Sequence, residues 1–105
     1  SRGFEVEETS DLNAAVSRCN VLSSSRIQVE RFVSFEEYKK NTGIFIINPD
    51  AMRHSKKDMI LIAPLPRIEE ITKEVDDDPR AKYFEQVRNG VPVRMALLSL
   101  VMGKF

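Results

Sequence analysis

An unbroken apolar run over residues 59–63 leads directly into the sequence Pro64-Leu65-Pro66-Arg67. Such a run, without polar alternation, is typical of a strand buried on both faces, as in a parallel sheet. Each proline fixes φ and removes a backbone N–H, so the loop presents carbonyls that no neighbouring strand is expected to use. Ligands of open parallel sheets bind just beyond the carboxyl ends of the strands. The junction therefore predicts a ligand-binding loop of carbonyl acceptors, with Arg67 as a nearby cation.

Strand and helix patterns alternate along the first part of the chain. Capping residues precede three of the helical stretches, at Asp11, Ser34 and Asn48. The four candidate strands cover residues 4–8, 20–23, 44–47 and 59–63. Alternation of this kind indicates parallel pairing, so we expect an α/β fold with a parallel sheet of about four strands and flanking helices.

An acidic run, Asp76-Asp77-Asp78-Pro79, precedes the next predicted helix. It could bind a metal, but Asp at an N-cap followed by Pro at the first helical position is also a common helix start. We favour capping and assign no metal site. The helix is expected to cover residues 80–87 and to end at Asn89-Gly90, with a further helix starting near Pro92.

The C-terminal helix is apolar on nearly all sides. One face contains Val93, Leu97, Leu100 and Val101, and other apolar residues lie on a second face. A helix of this kind must be buried on more than one side. A unit of 105 residues covers only one of them, so we expect either oligomerisation through this helix or a second domain that packs against it.

Composition excludes two classes of partner. The 16 basic and 16 acidic residues cancel, and no basic stripe suggests nucleic acid. The longest candidate apolar segment, 91–102, is interrupted by Pro92 and Arg94 and is shorter than the roughly 20 residues of a membrane-spanning helix. The single cysteine, Cys19, forms no internal disulfide and fits a reducing compartment, so we expect a cytoplasmic protein.

A second candidate binding element follows the second strand. Arg26 and Gln28 are two residues apart, on one side of an extended segment. Arginine can hold a carboxylate through two parallel hydrogen bonds, and a carboxamide adds a donor or an acceptor. In a parallel sheet this segment and Pro64-Leu65 open onto the same edge. The alternative is a surface arginine paired with Glu30.

Together these segments resemble the aspartate-binding domain of aspartate carbamoyltransferase. The stretch 20–32 resembles that family's segment D-V-L-Y-M-T-R-I-Q-K-E-R-F, and 63–67 resembles its H-P-L-P-R. Residues 76–84 (DDDPRAKYF) and 89–98 (NGVPVRMALL) resemble its C-terminal signature. The resemblance covers nearly the whole chain and implies a Rossmann-like half of a two-domain carbamoyltransferase, with residues 1–90 in the aspartate-binding domain and 91–105 crossing to the other domain.

The resemblance implies a role for each matching residue. Arg26 and Gln28 match residues that bind aspartate, Arg26 through a carboxylate, and Glu30 matches one that steadies the arginine. The carbonyls of Pro64 and Leu65 match acceptors for the carbamoyl amide and the substrate amine. The implied reaction is attack of the aspartate amine on carbamoyl phosphate, giving carbamoyl aspartate and phosphate, in de novo pyrimidine biosynthesis.

Further residues are implied to support this site. The Leu65–Pro66 bond is expected to be cis. Glu37, Tyr38 and Arg94 match positions that help hold the closed arrangement of domains and loops, and Arg67 is a supporting residue of the proline loop. No metal or cofactor is implied.

The same resemblance implies partners that this sequence does not contain. The family binds carbamoyl phosphate through an N-terminal domain with an S-T-R-T motif and through a neighbouring subunit of a homotrimer. L-aspartate and carbamoyl phosphate are therefore the expected substrates, and the 105-residue segment alone is expected to be inactive.

Two departures from the family pattern leave a second reading open. Ala63 stands where the family has histidine, and three serines, 23–25, replace Y-M-T. The alternative is a non-catalytic α/β binding or assembly module derived from the same fold. A phosphoacceptor receiver domain fits poorly, because Asp58 precedes its strand instead of following it.

Overall fold

The computed structural model describes residues 3–26, 31, 33–41 and 45–104, with the backbone alone at positions 38, 39 and 41. It shows an α/β arrangement in which short helices flank a small parallel sheet and a long helix follows. In chain order the elements are α1 (Leu12–Arg18), β1 (Val21–Ser23), α2 (Phe35–Asn41), α3 (Pro49–Arg53), β2 (Ile60–Ile62), a 3₁₀ helix (Lys73–Asp77) and α4 (Tyr83–Val101).

The first three helices begin where their capping residues predict. The Asp11 carboxylate accepts a hydrogen bond from Ala14 N at 3.0 Å, and the Asn48 side chain accepts one from Ala51 N at 2.9 Å. Ser34 Oγ likewise accepts from Glu37 N at 3.2 Å. Each cap satisfies one of the N–H groups that a helix start leaves without an intrahelical partner.

The two strands pair in parallel and end at the same edge of the sheet. Val21 lies opposite Ile60 and Ser23 opposite Ile62. Ser24 N continues the pairing by donating to the Ile62 carbonyl at 3.0 Å. The predicted parallel sheet is therefore confirmed, and the segments that follow β1 and β2 emerge side by side.

Two of the four expected strands are not seen as strands in the described residues. Residues 4–8 have no regular secondary structure, and Phe4 and Val6 remain 76% and 77% exposed. Alternation alone was a weak signal here, because no strand of the described part of the chain pairs with this segment. Of the stretch 44–47, Ile47 makes a single parallel bridge to Ile71, whereas residue 44 lies outside the described residues.

The helix after the acidic run begins later than the sequence predicts. Asp78 and Pro79 do not start it; α4 starts at Tyr83. The reason is a tertiary contact: Leu61 N donates to the Arg80 carbonyl and Lys82 N donates to the Leu61 carbonyl, both at 2.8 Å. Residues 80–82 are thus held against β2 as a parallel bridge partner, which delays the helix by about one turn.

The expected break at Asn89-Gly90 is also wrong, because α4 runs without interruption through Gly90 and Pro92. Proline fixes a φ that a helix accepts and removes one N–H donor, which costs about 3 kcal/mol relative to alanine. A helix of 19 residues retains many other hydrogen bonds. None of the helices in the described part of the chain is long and apolar enough to cross a membrane.

The buried core lies between β2, α3, the 3₁₀ helix and the start of α4. Tyr83, Met59 and Leu61 are fully buried, and partly buried Leu65 packs against the cluster from the proline loop. The second half of α4 takes no part in this core. Its apolar residues are largely exposed: Val93 (56%), Met95 (62%), Leu97 (56%), Leu98 (63%) and Leu100 (62%).

Candidate functional site

A cavity of about 880 Å³ opens where β2 ends, between the proline loop and the first half of α4. Its volume lies in the range of small-molecule sites. Pro64 and Leu65 form part of one wall, as expected for a loop beyond the carboxyl end of a parallel strand. The facing wall comes from α4 and includes Gln86, Gly90 and Arg94. Three sequence-predicted site residues, Pro64, Leu65 and Arg94, thus line one cavity.

The proline loop is fixed at its start and turned by a cis peptide. Ala63 is 2% exposed, and its N–H donates to Gln86 Oε1 at 3.2 Å. The Leu65–Pro66 bond is cis, as the sequence resemblance predicts. The loop therefore reaches the cavity from an anchored residue.

Arg94 folds back along its own helix onto Gly90. A methyl group built at Gly90 would lie 2.8 Å from Arg94 Nη1, which is closer than real side chains approach one another. The absence of a side chain at Gly90 makes room for the guanidinium. Within the described part of the chain, Arg94 has no carboxylate in ion-pair distance, so its charge is available at the cavity wall.

The other charged groups of the cavity form a weak pair. Lys82 Nζ lies 3.4 Å from Glu85 Oε2, and both side chains are about half exposed. An exposed pair of this kind contributes little to stability, roughly 0–1 kcal/mol. With Arg94, the described residues of the cavity wall include two cations and one carboxylate, which favours an anionic ligand.

Arg67 does not line this cavity. Its guanidinium forms a two-pronged ion pair with Asp76, with Nη2–Oδ2 at 2.6 Å, and Nη1 donates to Tyr83 Oη at 3.0 Å. Tyr83 Oη in turn donates to Asp76 Oδ1. The expectation of Arg67 as a cation presented to a ligand is therefore not met. The side chain instead ties the end of the proline loop to the 3₁₀ helix and to α4.

The contact between Arg67 and Asp76 keeps both of these side chains charged. Hydrogen bonding to Arg67 lowers the pKa of Asp76, and the same contact raises the pKa of Arg67. Burial, with the Asp76 carboxylate as a second cause, raises the pKa of Tyr83 to about 12. Asp78 likewise forms an ion pair, with Arg80. No group of three or more His, Cys, Asp or Glu side chains in the described residues is placed to hold a metal ion.

The other predicted ligand-binding segment follows β1. Arg26 lies three residues beyond the end of β1, at the edge where β2 also ends, and it is exposed. It is not among the residues that line the cavity. Gln28 and Glu30 lie outside the described residues, so their roles stay predictions.

Two supporting residues fall in α2. Glu37 is exposed and its N–H is part of the Ser34 cap, whereas the side chain of Tyr38 lies outside the description. Glu37 is not among the residues that line the cavity. Their proposed role in holding a closed arrangement remains a prediction.

Sequence reasoning missed two residues of the cavity wall, Gln86 and Gly90, and the partner of Arg67. Asp76 was assigned to a capping run, although its partner Arg67 is nine residues earlier. Gln86 and Gly90 carried no signal of their own, because their importance depends on contacts with Ala63 and Arg94. The wrong helix boundaries hid these contacts, since only one continuous helix brings Gln86, Gly90 and Arg94 to the same cavity.

Comparison with protein families gives a match over residues 1–101 to the family described as aspartate/ornithine carbamoyltransferase, Asp/Orn binding domain. Among curated proteins, the multifunctional protein CAD of Squalus acanthias is 51% identical over 105 residues. That match covers all of this chain and 5% of the relative.

Solved structures agree with the sequence comparison. The catalytic subunit of M. jannaschii aspartate transcarbamoylase superposes with a TM-score of 0.73 at 41% identity, covering 83% of this chain and 28% of that one. The Trypanosoma cruzi aspartate transcarbamoylase in complex with aspartate and phosphate gives 0.69 at 38% identity, covering 82% and 24%. The chain thus spans about a quarter of these solved chains and a twentieth of the multifunctional relative.

Proposed function

This chain belongs to the aspartate/ornithine carbamoyltransferase family, and we propose that it forms the aspartate-binding part of an aspartate carbamoyltransferase. In the proposed reaction the amine of L-aspartate attacks carbamoyl phosphate, and N-carbamoyl-L-aspartate and phosphate are released. This reaction serves de novo pyrimidine biosynthesis and uses no metal or cofactor.

The observation that carries the proposal is the shared edge of the sheet. β1 and β2 end in register at Ser23 and Ile62, so Arg26 and the Pro64-Leu65 loop follow from the same side. Arg26 is assigned to a substrate carboxylate, because its planar donors match one. The carbonyls of Pro64 and Leu65 are assigned to the carbamoyl amide and the attacking amine, both of which are N–H donors.

The remaining predicted residues are given supporting roles. Gln28 joins Arg26 in binding aspartate, and Glu30 steadies the arginine. Glu37, Tyr38 and Arg94 help to hold the closed site. Positioning of two substrates by fixed groups of this kind lowers the barrier without a covalent intermediate.

The complete protein is proposed to supply what this segment lacks. The exposed apolar faces of α4 and the exposed strand residue Val21, at 51%, support further packing partners. We assign α4 from residue 91 onward to contacts with an N-terminal carbamoyl-phosphate domain, and residues 1–90 to the aspartate-binding domain. The full sheet has about four strands, the active unit is a homotrimer, and the protein is cytoplasmic.

The test uses the full-length protein that contains this chain. Replacing Arg26 with alanine is expected to lower kcat/KM for aspartate up to about 100-fold, because a charged hydrogen-bonded contact is lost. Arg53→Ala is the matched control, since Arg53 is an exposed arginine paired only with Asp50 among the described residues. Carbamoyl aspartate formation is the readout.

Each contrary result has a separate meaning. Unchanged aspartate use by Arg26→Ala disproves the assignment of Arg26. Preference for ornithine over aspartate in the unmodified protein disproves the substrate. No carbamoyl transfer to either amine, with carbamoyl phosphate present, disproves the enzymatic function and favours a non-catalytic α/β module.

A further inference from the structure

The proline loop has a hydrogen-bonded anchor that comes from a distant side chain. In the segment 63–66 two of the four residues are prolines, so only Ala63 and Leu65 have a backbone N–H. Ala63 N donates to Gln86 Oε1 at 3.2 Å. Among the described residues this is the only hydrogen bond that these four loop residues make.

Gln86 is itself fixed relative to β2 by a closed circuit of contacts. The Leu61 carbonyl accepts from Lys82 N at 2.8 Å, and the Lys82 carbonyl accepts from Gln86 N at 2.8 Å. The Gln86 side chain then returns to Ala63, two residues after Leu61. Three hydrogen bonds thus connect the strand end, the start of α4 and the loop into one ring.

We propose that Gln86 is a positioning residue that sets the direction of the loop carbonyls through the Ala63 peptide. The pyrrolidine ring restricts φ at Pro64 and also narrows ψ of the preceding Ala63, so the orientation of the peptide between Ile62 and Ala63 largely sets the direction in which the loop leaves β2. The hydrogen bond from Ala63 N to Gln86 holds that peptide in place. Pro64 and Leu65, which line the cavity, then follow from a fixed base.

The inference rests on the proposed function only for its kinetic consequence. The anchor itself is a structural feature that can be measured without any substrate. Gln86 acts through Ala63 and is not assigned a contact with substrate. Its loss should therefore lower kcat more than it raises KM for aspartate.

The experiment compares Gln86→Met with Gln86→Glu in the full-length protein. Methionine has a similar length but no acceptor for an amide N–H, whereas glutamate keeps an acceptor oxygen. Arg88→Met is the matched control, because Arg88 is an exposed α4 residue that lies outside the cavity. Residue-resolved hydrogen exchange at Ala63 N and steady-state kinetics are measured for each variant.

In Gln86→Met, Ala63 is expected to lose protection while Ala81, whose N–H donates to Asp78 O at 2.9 Å, keeps it. The kcat is expected to fall about 10- to 100-fold, the range for a slightly misplaced catalytic group. In Gln86→Glu, protection at Ala63 remains and kcat is closer to that of the unmodified protein.

Three results would overturn the proposal. Protection at Ala63 that survives Gln86→Met shows that Gln86 is not the anchor. Normal kcat with protection lost shows that the loop needs no anchor. Loss of protection at both Ala63 and Ala81 shows a general structural role.

If the unmodified protein makes no carbamoyl aspartate, the proposed function fails separately, and exchange at Ala63 still reports whether Gln86 holds the loop.

Discussion

At the residue scale, Arg67, Asp76 and Tyr83 show how a sequence motif acquires a role different from the one its charge suggests. An arginine directly after a proline loop looks like a ligand-binding cation. In the structure the Asp76 carboxylate accepts hydrogen bonds from both terminal nitrogens of its guanidinium, and Tyr83 Oη donates a further one to the same carboxylate. A half-buried arginine with these partners orients the backbone that precedes it. It is not free to move toward a ligand.

The charge state of Asp76 makes stability depend on pH. Its pKa is lowered in the folded protein by the hydrogen bond from Arg67. The stabilisation is therefore complete above the unfolded-state pKa of about 3.9 and is lost as the pH falls through the lower folded-state value. Asp76→Asn is expected to cost about 3 kcal/mol at pH 7, because Arg67 is left half-buried without a counter-charge.

The measurement for Asp76→Asn is the thermal midpoint of the full-length protein at pH 7 and near pH 3. Asp77→Asn is the control, since Asp77 is an exposed neighbour in the same 3₁₀ helix. The deficit of Asp76→Asn should shrink at the lower pH, because the Asp76 carboxylate of the unfolded state binds a proton there and the charged folded state gains less stability from its ion pair. A deficit that is the same at both pH values would show that the ion pair does not stabilise the fold.

At the element scale, sequence reasoning succeeded where a local signal sets the structure and failed where a tertiary contact does. The helix starts at Asp11, Ser34 and Asn48 were predictable, because a capping side chain bonds to a backbone N–H only three residues away. The start of α4 was not, because residues 80–82 pair with Leu61, which is far away in sequence. The same boundary error hid Gln86 and Gly90, which share the cavity wall with the predicted Arg94.

Gly90 offers a test in which stability and activity are expected to change in opposite directions. Glycine in a helix interior costs about 1 kcal/mol relative to alanine, so Gly90→Ala should stabilise α4 by up to that amount. The new methyl group would meet Arg94 Nη1 at 2.8 Å and displace the guanidinium. We expect kcat/KM for aspartate to fall about tenfold, equivalent to about 1.4 kcal/mol.

The readouts for Gly90→Ala are the thermal midpoint and carbamoyl aspartate formation by the full-length protein. Ser99→Ala serves as the control, because Ser99 lies in the last turn of α4 and outside the cavity. A Gly90→Ala protein that is both more stable and fully active would show that the observed position of Arg94 is not needed.

At the scale of the whole molecule, the segment is less compact than an independent domain of its size. Its radius of gyration is 16.8 Å, whereas a compact domain of this length is expected near about 13 Å. The sheet has two strands in the described residues, and the second half of α4 is exposed on more than one face. The sequence predicted this helix to be apolar on nearly all sides, and no element in the described residues covers those sides.

The exposed helix leads to a prediction about the complete protein. Leu97 is 56% exposed in this segment, and a charge on a truly solvated helix face changes stability by no more than about 0.5 kcal/mol. If α4 packs on a second domain, Leu97→Lys buries an unpaired charge. The expected cost is then several kcal/mol, with loss of carbamoyl transfer because the two halves of the site separate.

The thermal midpoint and the activity of the full-length Leu97→Lys protein decide between these cases. Asn13→Lys is the control, because it adds a lysine to an exposed position of α1. A large loss in the Leu97 variant alone supports domain contacts through α4. Equal, small effects in both variants would show that this face of α4 is solvated in the complete protein, and the assignment of residues 91–105 to the domain contact would be wrong.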